Sequence, residues 1–135
     1  MFVMKSFACL GNGFQKSMVL IMCAFVLLAS SPAFAGKADV IGVKLTKSNA
    51  DMYRISVTVA HDDTGWDHYA DQWDVLDEEG NVLGTRVLMH PHENEQPFTR
   101  SMSLSIPMDV KKITVRARDK KHGYGGKTMT VDVTE

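Results

Sequence analysis

From residue 36 onward the apolar residues of this chain recur at every second position. Tyr53, Ile55, Val57 and Val59 alternate with Arg54, Ser56 and Thr58, and the pattern returns as Met102, Leu104, Ile106, as Ile113, Val115, Ala117 and as Met129, Val131, Val133. A period of two sends successive side chains to opposite faces, so each stretch reads as a strand with one buried and one wetted face. Such strands belong to antiparallel sheets covered on one side. No segment in this region carries a convincing helical repeat. Seven strands are predicted, at 39–46, 52–60, 69–77, 81–89, 99–106, 111–119 and 127–134.

The breaks between them are turn-forming. Glu78-Glu79-Gly80-Asn81 suits a hairpin, Ser48-Asn49-Ala50-Asp51 a polar turn, and Gly123-Tyr124-Gly125-Gly126 tolerates positive φ. Seven short strands in about 100 residues, with Trp73 on the third as a core residue, resemble an immunoglobulin-like or fibronectin type III-like sandwich without a disulfide. The expected fold class is therefore all-β: a single antiparallel sandwich of about seven strands.

The preceding segment differs in composition. Lys5 and Lys16 stand before an apolar run from Met18 to Ala29, followed by Ser30-Ser31-Pro32 and the small-residue pattern Ala33-Phe34-Ala35. Residues 1–35 read as a secretory signal peptide cleaved before Gly36, leaving residues 36–135 as the domain, periplasmic or secreted. Both cysteines, Cys9 and Cys23, fall within the leader, and Met22 before Cys23 is too bulky for lipoprotein processing. The exported chain is thus expected to lack thiol, disulfide and lipid, and to be held by apolar burial alone.

Losing Lys5 and Lys16 leaves 13 basic residues against 16 acidic ones, a net charge of −3 with neutral histidines. That balance excludes nucleic acid as an expected partner and, once the leader is gone, an anionic membrane surface. The one basic stretch, Lys111 to Lys121, alternates as a solvated strand face does.

Every histidine, His61, His68, His90, His92 and His122, lies in a loop after the second, fourth or sixth strand. Strands that run up and down bring those three loops out at one end. In His90-Pro91-His92 the proline favours extended backbone, so both imidazoles could face the same side. His61 continues the inward parity of Val59, and Asp119 that of Ala117. His90, His92, His61, Asp119, His68 and His122 are therefore the candidate metal ligands, and imidazole with carboxylate suits Zn²⁺ or Cu²⁺. The competing reading is a set of polar loops that merely collect histidine. Asp62, Asp63, Asp67 and Asp71 supply oxygens for Ca²⁺ as a weaker option, without an EF-hand pattern.

Trp66, Tyr69 and Tyr124 add aromatic surface to the same end, and Arg100 a guanidinium able to hold Glu93, Glu95 or an anionic ligand, so a protein partner is the rival expectation. Enzymatic signatures are missing: there is no Gly-x-Ser-x-Gly elbow, no phosphate-binding glycine loop and no His-Glu-x-x-His. The segments from Trp66 to Trp73 and from His90 to Ser101 resemble those of small exported bacterial β-sandwich proteins of unassigned function. The expectation is an exported, non-enzymatic binding protein whose histidine-rich end takes a transition metal, or an interaction module of an envelope assembly.

Overall fold

The computed structural model describes residues 36–134. Seven strands follow in chain order: β1 (Asp39–Lys47), β2 (Met52–Ala60), β3 (Ala70–Leu76), β4 (Val82–Val87), β5 (Phe98–Ser105), β6 (Lys112–Asp119) and β7 (Met129–Asp132). They form two antiparallel sheets, ordered β1-β2-β5 and β4-β3-β6-β7. The fold is an all-β sandwich, and the expected strands are present with ends displaced by two residues at most. Consecutive strands pair as hairpins at β1–β2, β3–β4 and β6–β7, and the chain changes sheet after β2, β4 and β5.

Parity builds the core. Tyr53, Ile55, Val57 and Val59 from β2 face Ile113, Val115 and Ala117 from β6 across the interior, with Trp73, Val75 and Phe98 among them. Trp73 is fully buried. Strand β3 departs from simple alternation: its register against β6 shifts between Ala70 and Gln72, so Ala70 and Trp73, three residues apart, are both buried. A bulge of this kind re-aims the residues ahead of it, here the segment carrying His68.

One buried carboxylate lies outside the apolar core. Asp74 accepts hydrogen bonds from Tyr124 Oη (2.6 Å), Thr85 Oγ1 (2.8 Å), Arg116 Nε (3.0 Å) and Gln72 Nε2 (3.2 Å). Burial pushes this carboxyl up, but the bonds from Tyr124, Thr85 and Arg116 outweigh it and hold the group below its usual range. The Arg116 guanidinium stacks 3.9 Å from the Tyr124 ring centroid, which fastens the β6–β7 loop to its own sheet.

Candidate metal centre

The inward stripes of β2 and β6 do not stop where the strands do. His61 follows Val59 and Asp119 follows Ala117 on the buried parity, and their side chains are 1% and 0% exposed. His61 Nε2 lies 3.7 Å from Asp119 Oδ2. Two turns bring in the other imidazoles. In the β2–β3 loop Gly65 takes φ +137° and the amide of Thr64 bonds the carbonyl of His68, folding His68 back beside His61. After β6, Asp119 Oδ1 accepts the amides of Lys121 (2.6 Å) and His122 (2.7 Å), and Gly123, at φ +73°, closes the turn onto Asp119. Asp119 thereby caps the turn that delivers its neighbour His122.

Donor atoms of His61, His68 and Asp119 lie within 4.8 Å of one another. His122 Nδ1 joins them 3.0 Å from Asp119 Oδ2. The rings of His61 and His68, and of His68 and His122, meet edge to face with centroids 4.8 and 4.9 Å apart. Exposure rises across the group, from buried His61 and Asp119 to His68 at 18% and His122 at 37%. Beyond His122 a cleft of about 440 Å³ opens, lined by Gly36, Lys37, Asp39, His122 and the segment Gly125 to Lys127.

Asp63 holds the His61 ring from behind. Its Oδ1 lies 2.5 Å from His61 Nδ1 and accepts the Ala70 amide at 3.0 Å, while Oδ2 accepts the His92 amide at 2.6 Å. An ionised carboxylate only accepts, so His61 Nδ1 is the donor of this pair and Nε2 is the ring nitrogen turned inward. Two oxygens face Nε2, Gly36 O at 3.4 Å and Asp119 Oδ2 at 3.7 Å. The near partners of His68 Nε2 and His122 Nδ1 are the same carbonyl, at 3.2 and 2.6 Å, and the same carboxylate. Three imidazole nitrogens crowd oxygens that have no proton to give, so the space between them favours positive charge, as proton or as metal cation. For Asp119, burial raises the carboxyl, but the amides of His122 and Lys121 and the His122 ring together hold it below the ordinary value.

The other sequence candidates are placed elsewhere. His90 is exposed, with Nδ1 3.0 Å from the Pro91 carbonyl oxygen. His92 is buried, stacked on Phe98 at 4.1 Å and 11°, and neither of its ring nitrogens has a hydrogen-bond partner. Their rings do lie 4.6 Å apart, but they stand outside the group formed by His61, His68 and Asp119. Tyr124 is engaged with Asp74, Arg100 is paired with both Glu95 oxygens (3.2 and 3.0 Å), and Tyr69 packs on Trp66, which is 61% exposed. Of the four aspartates considered for Ca²⁺, Asp63 has its oxygens occupied by protein donors. Sequence reasoning missed Asp63 as the partner of His61, although the His-x-Asp spacing was there to be seen, and it missed Gly36, which no motif marks.

No family model matches the chain. A protein of Halomicrobium mukohataei named "Putative lipoprotein" is 43% identical over 96 residues, covering 71% of this chain and 47% of its own length, so the chain spans about half the relative it matches. Among solved structures, superoxide reductase (1Fe-SOR) from Giardia intestinalis is similar at a TM-score of 0.42 and 17% identity, over 70% of this chain and 99% of that one. That likeness is too slight to bear on activity.

Proposed function

We propose that this chain is an exported protein that binds one transition-metal ion through His61, His68, His122 and Asp119. The observation that carries the reading is the inward convergence of ring nitrogens from His61, His68 and His122 on one buried carboxylate, Asp119, and on one backbone carbonyl, that of Gly36. Three nitrogens and one oxygen match the preferences of Zn²⁺ and Cu²⁺; Ca²⁺ takes six to eight oxygens, which this set lacks. Asp63 behind His61 is the kind of outer partner that fixes a ligating ring and raises its basicity. The leader-like segment before residue 36, together with the relative's name, supports a cell-envelope or exported location.

Calorimetric titration of residues 36–135 with Zn²⁺ and Cu²⁺ tests the site. One equivalent should bind to the unaltered chain and to the His90→Ala/His92→Ala variant, while His61→Ala/His68→Ala should lose at least about 100-fold in affinity. Heat-silent titrations, or binding that survives in the His61/His68 variant, would sink the assignment.

The cleft beside His122 favours a second reading, in which the bound metal also reacts with a small anion. An ion held on one side and open on the other keeps a coordination position for a further ligand, and Lys37 and Lys127 line the approach. Azide added to the Cu²⁺-loaded chain should then shift its visible absorption; an unchanged spectrum removes this reading and leaves simple binding.

A further inference from the structure

Gly36 is held at the centre of the histidine group. Its carbonyl oxygen lies 2.6 Å from His122 Nδ1, 3.2 Å from His68 Nε2 and 3.4 Å from His61 Nε2, so one backbone atom touches all three imidazoles. Its position is built in two ways. The following segment is anchored by Val40 N to Lys127 O (2.8 Å) and by Lys127 N to Asp39 Oδ1 (2.6 Å). The residue itself takes φ +140°, a conformation that favours glycine, and a Cβ there would stand 3.0 Å from His122 Cε1, so a side chain at 36 would press on the ring. This same residue is the one that the Ala33-Phe34-Ala35 pattern would leave first after processing.

We infer that leader removal completes the metal site, with the freed α-amino group of Gly36 becoming a ligand beside the three histidines. The inference rests on the metal-binding reading above. Hydrolysis of the Ala35–Gly36 amide by an envelope signal peptidase adds one water: the carboxyl departs on Ala35 and the amino group stays on Gly36. That amine sheds its proton to bind the ion, and amine nitrogen and carbonyl oxygen of one glycine close a five-membered chelate with it. An amide nitrogen in the unprocessed chain has no such lone pair to offer. The ligand set then becomes nitrogen-rich enough to favour Cu²⁺ over Zn²⁺. An ion would be captured after export, not before it.

The test compares three forms of the chain in Cu²⁺ titrations: residues 36–135 with free Gly36, the same chain Nα-acetylated, and a form retaining Ala33-Phe34-Ala35. Acetylation keeps the carbonyl and removes only the basic nitrogen. The free form should bind about 10- to 100-fold more tightly than either other form, and ¹⁵N in Gly36 should alter the copper hyperfine pattern in the free form alone. Equal affinities across the three forms would overturn the inference while leaving the histidine site standing. Absence of binding in all three would overturn both. Mass spectrometry of the exported protein should give Gly36 as the first residue, and a different first residue also overturns the inference.

Discussion

Asp63 accepts from residues two, seven and 29 positions away along the chain, and of these a short sequence window could have disclosed only the first. As a letter it was one of several acidic residues in a polar loop; as a folded group it ties His61, Ala70 and His92 together. Asp63→Asn puts an amide NH₂ against one of those donors. The expected result is a loss of about 1–3 kcal/mol in urea unfolding and about 10- to 100-fold in metal affinity, with wild-type values for both counting against the assigned role. His92 behaves differently. Burial, then the charges of Arg100 and His90, push its imidazole below the ordinary histidine value. The unfolded chain therefore takes up a proton at this residue before the folded chain does, and the associated stability, present above about pH 6.5, drains away as pH falls. Urea unfolding at pH 7.5 and pH 5 should show the wild type losing more stability than His92→Phe, which keeps the stack on Phe98 without a titrating nitrogen. Equal losses would remove His92 from the acid response.

At the scale of strands, alternation made much of the site legible. Counting by twos along β2 and β6 extends the buried stripe to His61 and Asp119, and both are buried where the count puts them. Counting fails where pairing is irregular: the bulge in β3 and the folded turns of Gly65 and Gly123 decide where His68 and His122 end up. His90-Pro91-His92 looked the sharper motif because spacing is visible in sequence, whereas the turns that gather His68 and His122 are tertiary. The approach of β1 to the β6–β7 loop was equally hidden. A Cβ on Gly126 would be driven into the carbonyl of Ala38, so Gly126→Ala must push these backbones apart. Hydrogen exchange should show lost protection at the Val40 amide, which bonds Lys127 O, and metal affinity should fall with it as Gly36 is displaced. Intact protection would mean the two segments part less readily than their spacing implies.

For the molecule as a whole, the apolar sandwich and the polar end divide the labour. The core is continuous from Tyr53 to Val59 and from Ile113 to Ala117 with no cysteine among the described residues, while the three loops after β2, β4 and β6 close over buried polar groups. A ligand that binds only the folded form stabilises it, by about 2.7 kcal/mol at one hundred times its dissociation constant. Thermal melts with and without Zn²⁺ should therefore separate for the wild type and coincide for His61→Ala/His68→Ala; coincident melts for both would contradict a site at this end. The amide of His61 also donates to Gln96 Oε1, and Gln96 Nε2 to the His92 carbonyl. The Lys120 amide donates to the Tyr69 carbonyl, so the three loops are stitched crosswise. Because Asp63 shares one carboxylate between the loop of His61 and that of His92, neither can lift away alone. The His61 side of the site is thereby shut by the fold itself, so an ion bound there would come and go by way of His122 and the cleft beside it, and its exchange would answer to ligands in that cleft while the stitched side opens only by local unfolding.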